Sequence, residues 1–374
     1  MLRFVRTFAF FVVLVVAPAG AIAASGPASV PGSWRRLPPS PITPDFGSAR
    51  SVWTGKEMLV FGHDTLTAKD ARGTPYAMNT VNVAAAYDPA KGTWRRLDPP
   101  RKADAVGSPN VVWTGKQLLD MEAFSTLVYD PATNHWRRIP HGHGGLAIWT
   151  GREMLAWGGG CCGDANSDGV AYNPSTYGWR ALARSPLAGS QHPVGAWTGR
   201  ELVLFVGNLD PNGKPWPARL ARAAAYSPAT NTWRRIASPP QSDGTAVWDG
   251  SEILVVGAGA RGQSAYAYNP VTNRWRRLRP LDSGRSGAQA VWTGKRLLVY
   301  GGTGPSGSPV FPRHGLAYDP KADRWSPLPT APLPARLEPT AAWTGRAMIV
   351  WGGVSTDTWG KYHAAGATFT PATS

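Results

Sequence analysis

Apolar residues along this chain gather in short unbroken runs rather than at the three-to-four spacing of an amphipathic helix. Residues 58–61, 202–206, 253–256 and 348–351 are such runs, with no polar alternation. A strand that is apolar on every residue is buried on both faces, as when its sheet is sandwiched between two others. Ahead of each run stands Trp, then Thr or Asp, then Gly, beginning at Trp53, Trp113, Trp149, Trp197, Trp248, Trp292 and Trp343. The seven copies recur about every 48 residues, a length that accommodates four strands.

Two further signatures follow in fixed order. An aromatic stands two residues before Pro at Tyr87, Tyr129, Tyr172, Tyr226, Tyr268, Tyr318 and Phe369, apart from small variations in the residue between. A Trp lies seven positions after each Tyr, at Trp94, Trp136, Trp179, Trp233, Trp275 and Trp325. Asp or Asn followed by Pro makes a tight turn, so each copy predicts a hairpin. No Trp follows Phe369, whereas Ser33, Trp34, Arg35, Arg36 and Leu37 reproduce the post-turn strand ahead of any complete repeat. The pattern predicts an all-β, seven-bladed β-propeller with four antiparallel strands per blade. Strand 33–37 completes the blade formed by 340–369, which leaves no open ring edge.

These motifs resemble the kelch repeat, in which a Gly pair ends the second strand, a Tyr ends the third and a Trp follows it by seven. The Gly pair is complete at Gly158 and Gly159, Gly301 and Gly302, and Gly352 and Gly353. It is partial at Gly62, Gly207 and Gly257, and absent from the second blade, where Leu119, Asp120, Met121 and Glu122 occupy the region. Kelch-like propellers include copper galactose oxidases and a sialic acid mutarotase. The oxidase's copper site implies a Tyr cross-linked to Cys beside two His, and neither Cys here stands near a Tyr in sequence. The resemblance therefore implies architecture more than chemistry.

Residues 1–23 read as a cleaved signal peptide: Arg3 and Arg6 precede an apolar stretch from Phe8, and Ala21 and Ala23 form the small-residue cleavage site. Residues 24–374 then form one domain, expected in the periplasm or outside the cell as a monomer without membrane insertion. The net charge of +16 includes those two arginines, and most of the excess sits directly after the repeated Trp, as in Arg95 and Arg96. Basic residues spread once per repeat do not form a nucleic-acid footprint, so nucleic acid is excluded as a partner. On outer strands they read as charges that discourage edge-to-edge pairing.

With the four strands of each blade lettered a to d outward from the axis, the Trp-Thr-Gly turn joins a to b and the turn before the repeated Trp of strand d joins c to d. Both are short, and the longer b–c and d–a links share the opposite face. Variable loops on a rigid scaffold are where function collects. Alternation along strand a places Arg50, Asn110 and Gln289 at one level of the channel mouth, and His192, Asp243 and Glu338 at the next, with Arg285 and Arg336 beyond. Trp216 and Trp359 lie in the same loops as candidate stacking platforms. The expected ligand of this set is a glycan or an envelope protein held by a binding module. The alternative is a sugar-acting enzyme using His192 with Asp243 or Glu338 for proton transfer. No cofactor is expected, with calcium as the alternative, because Asp164, Asn166 and Asp168 match the first half of a calcium loop but lack its closing acid. The only cysteines, Cys161 and Cys162, are adjacent and are expected to be paired as a loop clip.

Overall fold

The computed structural model describes residues 29–45, 49–69, 75–101, 110–160, 163–207, 209–217, 219–240, 244–257, 264–304, 312, 314–355 and 362–372. Within them stand seven four-stranded antiparallel sheets and no helix. Strand a of the successive blades is Arg50–Trp53, Asn110–Trp113, Leu146–Trp149, Val194–Trp197, Thr245–Trp248, Gln289–Trp292 and Thr340–Trp343. Each strand a touches those of the two adjoining blades, and that of the seventh blade touches the first, so the sheets close into a propeller around one axis.

The apolar runs are strand b of their blades, interrupted only by Asp120 in the second, and all residues of the strands from Leu118–Met121 to Met348–Trp351 are buried. Alternate side chains enter the two interfaces that a blade shares with its neighbours. Thus Met58 and Val60 pack with Ile349 and Trp351 of the seventh blade, while Leu59 and Phe61 pack with Leu118 and Tyr129 of the second. The core is a ring of seven such interfaces. The seventh blade is completed by Gly32–Arg36, which pairs with Gly366–Pro371 from Gly32 opposite Pro371 to Arg36 opposite Ala367. In the first blade, part of the expected long b–c loop is instead a β-ribbon: Met58–Lys69 and Pro75–Asp88 stay paired out to Lys69 and Pro75, with a register shift between Leu66 and Thr67.

The strand-d tryptophans and arginines join blades, and here the reading of Arg95 and its equivalents as edge charges is corrected. The indole N–H of Trp34, Trp94, Trp136, Trp233, Trp275 and Trp325 donates to a carbonyl in the segment leaving the preceding blade, as Trp233 does to Ala183 at 2.8 Å and Trp275 to Ala237 at 2.9 Å. The arginine after the Trp turns back to a glutamate in its own blade's a–b turn: Arg95 to Glu57, Arg180 to Glu153, Arg234 to Glu201 and Arg276 to Glu252, at 2.6 to 2.8 Å. Its other edge reaches the next blade's buried Tyr, with Arg180 donating to the Tyr226 hydroxyl at 2.7 Å and Arg276 to Tyr318 at 3.3 Å. That hydroxyl donates onward to a side chain five residues later, Asn231 or Asp323, which holds a left-handed backbone conformation. Charge-assisted, fork-shaped contacts of this kind fix orientation as well as add energy. Arg276→Ala is expected to lower the free energy of unfolding by about 1 kcal/mol in urea titrations, since the pair is partly solvated. Arg277→Ala, at the adjacent exposed position, should change it by less than about 0.5 kcal/mol. Equal effects would remove the clasp.

Candidate functional site

The b–c and d–a links meet over one end of the channel. Strand a is half-buried along most of its length in most blades, as expected for walls of a wet channel rather than a packed barrel. Arg50, at the start of strand a in the first blade, lies at the centre of the charged groups there. Burial lowers its pKa, and the charges of Glu338, Tyr362, Asp120 and Glu122 oppose that shift. Glu338 and Tyr362 come from the seventh blade and Asp120 and Glu122 from the second, so the charges within electrostatic reach of this guanidinium come from both neighbouring blades. Its Nη1 also donates to the Ala49 carbonyl at 2.9 Å.

Asp120 sits in strand b of the second blade and is 3% exposed. Every other blade carries an aliphatic residue at this position: Val60, Ala156, Leu204, Val255, Val299 and Val350. Its Oδ1 has no hydrogen-bond partner among the described residues. Burial, followed by the neighbouring Glu122, pushes the Asp120 carboxyl well above its ordinary range, while Arg50 pulls it down. Glu122 is 7% exposed and pushed up to about 7, by burial above all. The loop entering the third blade closes over this pair, leaving no room for a side chain at Gly142 beside the Glu122 carbonyl and the Ser125 backbone.

The expected site residues are distributed as follows. Arg50, Gln289 and Glu338 stand at the mouth, Gln289 half-buried and Glu338 exposed with a left-handed backbone at φ 49°. Asn110 begins strand a of the second blade, where the backbone alone is described. His192 is exposed on the link into the fourth blade. Arg285 departs from the expected open position: it is fully buried and donates to the His314 carbonyl at 2.9 Å and to Asp282 at 3.2 Å, which makes it a brace for the sixth blade's loops. Arg336 is also buried, within electrostatic reach of Tyr300 and Tyr362, whose hydroxyls burial pushes up to about 12. Trp216 is half-buried, packed on one side against the apolar cluster of Leu155, Trp157 and Leu187. Asp243, Trp359, Cys161 and Cys162 lie outside the described residues.

Asp164, Asn166 and Asp168 are all exposed, and the Asn166 backbone is bonded to Gly159 and Ser190, so the loop is held by its main chain. Among the described residues no three His, Cys, Asp or Glu side chains gather in a metal-holding group. The loop histidines go to separate partners: His143 to the Gly144 carbonyl, His314 to Asp282 at 2.5 Å and His363 to Ser355 at 2.6 Å. Asp120 and Glu122 were not among the expected site residues. Their signal was present as two charges in a run that is apolar in the other blades.

No family model matches the sequence, and no curated protein matches it. Among solved structures, the fold is similar to that of a protein described as a novel fungal alcohol oxidase with catalytic diversity among the AA5 family, in complex with copper. The likeness has a TM-score of 0.64 at 14% identity and covers 91% of this chain and 76% of that one. It establishes the propeller architecture. No helix among the described residues is long and apolar enough to cross a membrane.

Proposed function

We propose that this chain is an exported, kelch-type binding module that holds a polar ligand, a glycan or a sugar-bearing envelope protein, at the channel mouth on the face of the b–c and d–a links. The observation that carries this reading is that Glu338, Tyr362, Asp120 and Glu122, from both neighbouring blades, lie within electrostatic reach of Arg50. A polyol needs donors and acceptors arranged together in a concavity, and Arg50 and Gln289 supply donors beside carboxylate acceptors. The kelch assignment is supported by left-handed glycine pairs at the ends of strand b, Gly158 with Gly159, Gly301 with Gly302, and Gly352 with Gly353. Export rests on the leader-like residues 1–23.

A rise in melting temperature across a panel of monosaccharides and glycans tests the site, since a ligand that binds only the native state must stabilise it. Glu338→Gln and Gln289→Ala are expected to abolish that rise while leaving the unliganded protein within about 0.5 kcal/mol of its original stability. Full binding by both variants would overturn the site.

A second reading, a sugar-acting enzyme, is favoured by one observation: Glu122 is buried beside Arg50 and titrates near 7, where a general acid or base works best. This moves proton transfer from His192 to Glu122. The groups around Arg50 at the mouth are carboxylates and a tyrosine, with no imidazole among them, which is not the donor set that copper favours. Turnover of a reducing sugar with a pH limb near 7 that vanishes in Glu122→Gln would support this reading. Absence of turnover in the wild-type protein would dismiss it.

A further inference from the structure

The opposite face, built from the short turns, carries a second and independent feature. The tip of the a–b turn is Lys56, Lys116, Arg152, Arg200, Lys295 and Arg346 in six blades, and Ser251 in the fifth. All six basic residues are exposed, and none takes part in an ion pair among the described residues. Their geometry is fixed: the Thr of each Trp-Thr-Gly accepts from the tip residue's own backbone N–H, at 3.3 Å for Arg152 and 3.4 Å for Arg200. The glutamates that follow two of these tips, Glu153 and Glu201, are already held by Arg180 and Arg234. The six tips therefore place exposed positive charge around the axis.

Between the third, fourth and fifth blades this face opens into a groove of about 1300 Å³. Its walls carry the half-buried indoles of Trp179, Trp197 and Trp248, with Arg152 and Arg200 between them. The volume exceeds what one sugar unit or another small ligand fills, since small-molecule sites run to roughly 1000 Å³. Open space lined by several aromatic rings suits a chain of sugar rings, and arginines outside any ion pair in the same lining suit anionic groups along it.

We infer that the groove across blades three to five, with Trp179, Trp197, Trp248, Arg152 and Arg200, is a binding site for an acidic polysaccharide, one bearing carboxylates on successive sugar rings. The tips of the first, second, sixth and seventh blades continue the basic ring, so a chain leaving the groove meets further positive charge. This site is separate from the channel mouth, and its failure leaves that proposal untouched.

The test is binding of polygalacturonate to the full chain, with dextran as the neutral polymer and anionic phosphatidylglycerol vesicles as the planar anionic surface. The double variant Arg152→Ser, Arg200→Ser introduces the residue that the fifth blade already carries at this position, so the turn is expected to fold. Binding to polygalacturonate should weaken about tenfold and become less sensitive to salt, because fewer counterions are released. Lys295→Ser, on a blade outside the groove, should change it less than twofold. Retained affinity in the double variant, an equal loss in Lys295→Ser, equal binding of dextran, or binding confined to vesicles would each overturn the assignment.

Discussion

A chain lacking residues 29–37 is expected to lose its folded monomer and aggregate. These residues supply the fourth strand of the last blade, where Gly32–Arg36 covers the edge of Gly366–Pro371. Trp34 packs its ring 5.2 Å from Phe369 and 5.4 Å from Tyr300 of the sixth blade, and its N–H donates to the Pro329 carbonyl at 2.8 Å. Deletion strips one strand's worth of ladder hydrogen bonds and leaves an unpaired edge that templates pairing with another molecule. The milder Trp34→Ala should cost about 3 kcal/mol, at the low end for an aromatic truncation because the ring is only half-buried. Size-exclusion chromatography with light scattering, together with thermal unfolding, measures both. A truncated protein that is monomeric with an unchanged melting temperature would rule out closure as a source of stability.

The largest gain in stability is expected from Asp120→Val. This substitution restores the aliphatic residue of the other strands b and removes a carboxyl whose Oδ1 is buried without a partner. A buried polar atom left without a partner costs about 1 to 3 kcal/mol, and a well-fitting apolar group removes that cost. The variant should unfold at higher urea concentration and bind its channel-mouth ligand more weakly. A destabilised variant would show instead that Asp120 is held by contacts that burial and Arg50 alone do not describe.

The same pair sets a pH dependence. The Glu122 carboxyl has its folded-state pKa raised to about 7 and that of Asp120 is raised as well, so the folded protein binds more protons than the unfolded chain above the ordinary carboxylate range. Their contribution is then fully present below pH about 4 and declines as pH rises through about 7. For Glu122 alone the span corresponds to about 3 kcal/mol at most. Wild-type stability should therefore fall between pH 5 and pH 8, and Glu122→Gln should flatten the fall. A profile unchanged by Glu122→Gln would place the titration elsewhere.

Blade number, strand order and ring closure were readable because seven copies of one pattern sit in one chain, and each copy checks the others. The clasp was also readable, though not as edge charge. Glu57, Glu153, Glu201 and Glu252 occur in the blades whose strand d carries Arg95, Arg180, Arg234 and Arg276. The sixth blade, with Arg296 in the turn, has Ser326 in that strand. The channel mouth was readable only in part. Alternation along strand a located Arg50 and Gln289, but Arg285 sits in a link that folds back into the body, and nothing in a repeat pattern fixes the path of a link whose length differs from blade to blade. Asp120 was visible as a charge within an apolar strand, yet its meaning depended on Arg50, which is contributed by another blade.

The pairing of Gly32 with Pro371 also has a consequence in time. Among the strands of the propeller the closing strand precedes all others and its partner follows them, so this contact has a very large sequence separation and is among the slowest to be rewarded during folding. While the intervening blades assemble from local hairpins, an apolar tryptophan waits at one end with no surface to cover. The propeller can be counted as a row of nearly independent sheets until its final strand emerges, and only then does it become a single cooperative object.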